Sequence, residues 1–321
     1  MDEKIFNEDT DILEPEQQIF DDDDKIEVKP IERENVDEGY SLSSGEALNE
    51  SELYALAARK QIHFVYILGS AGSGKTTLET MLYGTFVKSI DEEILFAGSE
   101  TLIGFEKRFW NIRAETGRST IEMERTIKGE RRVFLHLNLY DRIKAQHCNL
   151  ILSDISGETF EECCSNCENL ERELKYLDIA KNIVLFIDGE KLLDKSERHG
   201  CVSKIKYFLQ TLSSSQYYDP SMNVDIVISK NDIIYDSTEQ NAKEFINAVE
   251  QKFYSYIGKF QLHFFRIESI NGANLNDSQT SIGLTELLKY WMNTTRKTED
   301  ALTYSEKQKV KNECNRFGER Y

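Results

Sequence analysis

The run Gly69-Ser70-Ala71-Gly72-Ser73-Gly74-Lys75-Thr76 constrains the fold of this chain more than any other feature of its sequence. It fits G-x-x-x-x-G-K-[ST] at every fixed position. It also stands where an apolar run, His63–Leu68, gives way to a helical pattern over about 75–88. Strand, glycine loop and helix in that order gather backbone N–H groups and a helix N-terminus around one point, which makes an anion cradle. Gly69, Ser70, Ala71, Gly72, Ser73, Gly74, Lys75, Thr76 and the adjoining Thr77 are therefore candidates for holding a nucleoside triphosphate. Lys75 would reach the β- and γ-phosphates, and the Thr76 hydroxyl would ligate Mg2+.

Further short apolar runs follow at Val133–Leu139, Leu150–Ser153, Asn182–Asp188, Val224–Ser229 and Leu262–Ile267. Helical patterns near 159–178, 196–214, 238–255 and 281–293 fill most of the gaps. Such alternation indicates an α/β domain, a mostly parallel sheet with helices on both faces. One pair breaks the alternation, because only ten residues separate Val133–Leu139 from Leu150–Ser153. Antiparallel neighbours can be joined that briefly and parallel ones cannot. The expectation is a six-stranded sheet with one antiparallel strand, spanning residues 61–296. Residues 46–60 read as a lead-in helix, with acids early and bases late as the helix dipole prefers. Residues 297–321 read as a charged helix or tail.

Charge bounds the partners. The 321 residues carry a net charge of −18, and −12 of it falls in the first 40. So much like charge with so little to bury cannot offset the entropy of ordering, so residues 1–45 are expected to be an acidic disordered segment. A negative surface repels phosphate backbones, which excludes nucleic acid as a partner. No apolar run approaches the roughly 18 residues of a membrane span. The N-terminal residues lack the pattern of an export signal and the six cysteines are expected to be reduced, which points to the cytoplasm. Cys163-Cys164 and Cys167 offer a single C-x-x-C pair on a helical stretch, short of the two pairs of a structural zinc site.

Two more strand ends carry chemistry. In Ser153-Asp154-Ile155-Ser156-Gly157-Glu158, Asp154 would hold a Mg2+-bound water and the Gly157 N–H would meet the γ-phosphate. Ser229-Lys230-Asn231-Asp232 ends the fifth run. An acceptor-only carboxylate there suits the adjacent N1 and N2 donors of guanine and opposes the N1 acceptor of adenine. At this point the sequence resembles the G domains of TRAFAC-class, Ras-like GTPases, whose base-reading motif is [N/T]-K-x-D; Lys230 and Asp232 match, and Ser229 stands in place of Asn.

The resemblance covers about residues 62–295 and implies a three-layer Ras-like fold of strand order 2-3-1-4-5-6 with strand 2 antiparallel, GTP/GDP with Mg2+ as cofactors, and an effector or regulatory protein as partner. It also implies that the Lys230 stem packs along the base. Glu268-Ser269-Ile270-Asn271 looks like the fifth family motif, usually Ser-Ala-Lys, with only the serine kept, which makes Ser269 and Ile270 candidates beside the base. The 57 residues from Thr76 to Val133 imply an enlarged switch I insertion with its own helix near 100–115. Thr126, or alternatively Thr120, would close over Mg2+. Glu158 occupies the place of a water-orienting glutamine, and Arg125 is a candidate arginine finger in cis, with slow turnover quickened by a partner. The stretch Phe96–Glu106, with Arg125-Thr126 and Asp154–Glu158, is similar to the bacterial double-GTPase group, which is associated with mobile-element conflict and antiphage systems. A GTP-hydrolysing switch is the reading implied. A nucleotide-loaded scaffold with negligible hydrolysis and an ATP-using kinase or ATPase stay open, as does the oligomeric state.

Overall fold

The computed structural model of the chain describes residues 44–87, 93–112, 133–268 and 283–294. Its first half runs α1 (Glu50–Arg59), β1 (Ile62–Gly69), α2 (Lys75–Val87), β2 (Ile94–Gly98), α3 (Leu102–Ile112), β3 (Val133–Asp141) and β4 (Gln146–Asp154). There follow α4 (Gly157–Ser165), α5 (Cys167–Glu173), β5 (Ala180–Asp188), α6 (Gly189–Leu193), α7 (Arg198–Ser214) and β6 (Asn223–Ser229). Then come α8 (Asn231–Asp236), α9 (Gln240–Asn247), a 3-10 segment (Glu250–Tyr256), β7 (Gln261–Arg266) and α10 (Leu284–Asn293).

Among the described residues the sheet has seven strands in the order β2-β3-β4-β1-β5-β6-β7. β1 pairs in parallel with β4 and β5, and the parallel run continues through β6 to β7. β3 is antiparallel to both its neighbours. The six expected strands therefore keep their order and the reversed strand is the expected one, but the count of six is corrected by β2. That edge strand has only Ile94 buried, while Leu95 and Phe96 are exposed. A five-residue strand with one buried side chain leaves almost no alternation to read, and it forms by pairing with the far half of β3.

Successive β1 side chains enter opposite layers, as period-2 geometry requires. Phe64, Tyr66 and Leu68 join a core with Leu53 and Leu56 of α1, Phe160 of α4 and Phe208 of α7. Val65 and Ile67 join the opposite core, with Leu78 and Leu82 of α2, Phe105 and Phe109 of α3, and Leu287 and Trp291 of α10. Each of these fully buried β1 side chains contributes about 2 kcal/mol. The result is an α/β/α arrangement whose central strand delivers the glycine loop at its carboxyl end.

Local capping accounts for the helices that differ from expectation. The pattern over 159–178 breaks at Asn166, whose side chain accepts the Glu168 N–H and starts α5 afresh. A separate short α6 precedes α7 because the Asp188 side chain accepts the Glu190 N–H. The 238–255 pattern divides into α9 and the 3-10 segment. α1 opens on a capping box, with Asn49 and Glu52 bonding each other's backbone N–H.

The insertion helix expected near 100–115 is α3, and it packs on α2. Tyr83 stacks on Phe105 with ring centroids 5.4 Å apart and its hydroxyl donates to Glu106 Oε1 at 2.5 Å. Arg108 Nε lies 3.6 Å from Glu79 Oε2, and that glutamate is fully buried on α2. The insertion thus braces the helix that carries Lys75 and Thr76. Among the described residues no helix is long and apolar enough to cross a membrane.

Candidate nucleotide site

The glycine loop bridges the end of β1 and the start of α2. Gly72 and Gly74 take φ of 76° and 95°, left-handed backbone that a side chain would strain. Lys75 is buried and its ammonium donates to two carbonyls of its own loop, Gly69 at 2.8 Å and Ser70 at 3.2 Å. Ser73 Oγ is also buried and has no hydrogen-bond partner, a polar atom left unsatisfied inside the loop. Thr76 and Thr77 are half-buried in the first turn of α2, their carbonyls both accepting the Thr80 hydroxyl.

β4 lies beside β1, with Asp154 in register with Ile67, so the Asp154–Gly157 turn arrives next to the glycine loop. Ser156 caps α4 through the Thr159 N–H at 3.1 Å. Gly157 then presses on the loop itself: a Cβ there would sit 2.2 Å from Ala71 N and 2.6 Å from Ala71 Cα. Glu158 is exposed in the first turn of α4. One turn later the Glu161 carboxyl is held below its usual range, first by a bond from Lys204 on α7 (2.5 Å) and also by one from the Ser70 hydroxyl.

The 229–232 loop follows β6. Ser229 is buried, and a Cβ on Gly74 would come 3.4 Å from the Ser229 Cβ, so the serine that replaces Asn lies against the glycine loop. Lys230 takes φ 53° and ψ 40°, a left-handed turn unusual for a lysine. Its ammonium bonds Asp188 Oδ2 at 3.0 Å and Glu190 Oε2 at 2.8 Å. Burial alone would lower the Lys230 pKa, but the two carboxylates outweigh it and hold the ammonium above its ordinary value. Asp232 sits in the first turn of α8, which is tied to the end of β7 by Asn231 N to Ile267 O at 3.0 Å. Burial and the nearby Asp232 push the Glu268 carboxyl up.

A family model described as Double-GTPase 2 matches residues 63–292. The chain belongs to the Double-GTPase 2 family. Membership implies guanine-nucleotide binding. No curated protein matches the chain. Among solved structures it is similar to a Methanosarcina barkeri Roco2 RocCORdC bound to GDP, at 14% identity and a TM-score of 0.35 over 74% of this chain and 51% of that one. It is also similar to a bacterial selenocysteine-specific elongation factor EF-Sec, at 13% identity and a TM-score of 0.32 over 72% of this chain and 29% of that one. A third is the signal recognition particle receptor SRb-GTP/SRX complex from Chaetomium thermophilum, at 15% identity and a TM-score of 0.35 over 65% of this chain and 90% of that one. The chain thus spans about half the length of the Roco2 protein and under a third of the elongation factor.

In this Double-GTPase 2 chain the structure brings together the loop residues 69–77, the 154–158 turn and the 229–232 loop, all at the carboxyl edge of the sheet. For Asp154 the backbone alone is described. Arg125, Thr126, Thr120, Ser269 and Ile270 lie outside the described residues, as do 1–43 and 295–321. Asp188, Glu190 and Glu161 entered no motif. The signal for Asp188 was present, an acid closing an apolar strand and followed by glycine, but it reads equally well as a helix cap, which it also is. Cys163 and Cys164 lie on α4 and Cys167 starts α5; burial pushes the first two thiols up to about 12, far from the thiolate a metal or a nucleophile needs.

Proposed function

We propose that the chain is a GTP-binding and GTP-hydrolysing switch that uses Mg2+. The observation carrying this reading is the convergence of three loops, with Gly157 on Ala71 and Ser229 beside Gly74, so that a phosphate cradle and a carboxylate suited to guanine share one edge of the sheet. The unsatisfied Ser73 hydroxyl and the close-packed cradle fit an anionic ligand. Lys75 exchanges its loop carbonyls for phosphate oxygens, and the Gly157 N–H at the head of α4 faces the terminal phosphate. Thr76 and Asp154 would hold Mg2+, which when bound neutralises charge on the β- and γ-oxygens. Asp232 accepts from the guanine N1 and N2 donors. Glu158, exposed beside that phosphate, orders the attacking water and takes its proton. Its own negative charge opposes close approach, so intrinsic turnover is slow and a protein partner quickens it. Signalling through that partner, in the cytoplasm and in bacterial defence or conflict, extends the same reading.

Nucleotide extracted from purified protein, followed by competition of a labelled GTP analogue with GTP and with ATP, tests the binding. A clear preference for ATP sinks the guanine reading in favour of an ATPase or kinase. Single-turnover hydrolysis then compares wild type with Glu158→Ala, where a fall of about a hundredfold is expected. Equal, near-zero rates would leave a nucleotide-loaded scaffold instead of an enzyme.

A further inference from the structure

β5 lies between β1, which carries the glycine loop, and β6, which carries Lys230 and Asp232. From its left-handed turn, the Lys230 side chain reaches back over the carboxyl end of β5 to Asp188 and Glu190. It therefore lies across the tip of the strand that separates the two functional loops. A nucleoside with its phosphates on the loop and its base edge on Asp232 must cross that same tip. Asp188 is 5% exposed, and its second oxygen accepts the Glu190 N–H at 3.0 Å, so its carboxylate is fixed by the fold. The Glu190 side chain is 61% exposed.

We propose that Asp188 is a positioning residue for guanine-nucleotide binding: it pins the Lys230 ammonium so that the lysine stem forms a ready-made floor beneath the nucleoside, with Glu190 as a dispensable second arm. The proposal rests on the guanine-nucleotide reading above. A free lysine stem keeps several rotatable torsions, and ordering it during binding opposes affinity; a pinned stem is already ordered. The phosphates are held elsewhere, by the glycine loop, so the pin acts on the nucleoside part of the ligand alone.

Asp188→Asn isolates this role, because asparagine still caps α6 but no longer offers a charge to the lysine. Calorimetric titration of the purified full chain with Mg-GDP, Mg-IDP and Mg-pyrophosphate is the measurement. Asp188→Asn is expected to weaken GDP and IDP together by about threefold to tenfold and leave pyrophosphate unchanged. Glu190→Gln is expected to change all three by less than about twofold. In a Lys230→Met background, Asp188→Asn is expected to add nothing further, since the stem has lost the group that Asp188 holds. GDP affinity unchanged in Asp188→Asn overturns the proposal. So does an equal loss for all three ligands, which would make Asp188 a support of the whole fold. A wild type that binds GDP no more tightly than pyrophosphate overturns the guanine reading itself, and the floor with it.

Discussion

Two lysines stand at the two halves of the site and are held in opposite ways. Lys75 is buried in the glycine loop and bonded to neutral carbonyls of that same loop. Lys230 is half-buried and bonded to two carboxylates that belong to a different strand and helix. A lysine bonded to neutral carbonyls gives them up readily to a phosphate, because the phosphate offers full charge in exchange. A lysine paired with two carboxylates keeps its partners, so it serves as fixed framework. On the proposed reading, the phosphate half is thus built to hand its cation to the ligand, and the base half to keep its cation in place.

Lys75→Ala is the sharpest way to break that contrast. It is expected to cost GTP affinity on the order of a thousandfold, and GDP less, since the group is spent on the ligand. A loss under tenfold, measured by fluorescent-nucleotide titration, would put Lys75 in the same class as Lys230. Next comes Gly157→Ala, where the added methyl group meets Ala71 N at 2.2 Å. Displacing either segment costs about 2–3 kcal/mol, and nucleotide affinity should fall on the order of a hundredfold for every base. Affinity unchanged in that variant would mean that α4 does not bear on the loop. Asp232→Asn is expected to weaken GTP by tens of fold and to raise xanthosine triphosphate above it, because the new amide donor suits the 2-oxo group. If GTP binding persists unchanged, residue 232 does not read the base.

The smallest expected effect is in pH. The Lys230 pKa is raised by its partners once burial is overcome, so the ion cluster is fully present below the ordinary lysine value and is lost only as pH rises through the higher folded value. Between about pH 7 and 8.5, GDP affinity should therefore move less than about twofold. A tenfold fall in that window would show that the carboxylates do not grip the ammonium.

What could be read from the residues follows the same division. The glycine loop has a fixed spacing because backbone must wrap an anion, and such spacing survives in one dimension. The six longer strands were legible too, since β1, β5 and β6 are near-continuous apolar runs, and their order came with the family resemblance. β2 was not, because its place comes from hydrogen bonds to β3 and hardly at all from buried side chains. Asp188 and Lys230 are 42 residues apart, and nothing local in either segment announces their meeting. The break at Asn166 and the separate α6 turned on single side chains that found a nearby N–H, a choice that helical periodicity does not record.

The contact between Gly157 and Ala71 leaves no slack for gradual adjustment, because backbone already touches backbone there. On the proposed reading, a ligand that needs that space would lift α4 from the loop as a unit, since packed backbone does not yield by small steps. On the switch reading proposed above, an occupant of the cradle that cannot share the space with a seated helix would throw a toggle, and a protein reading α4 from outside would receive a yes or a no.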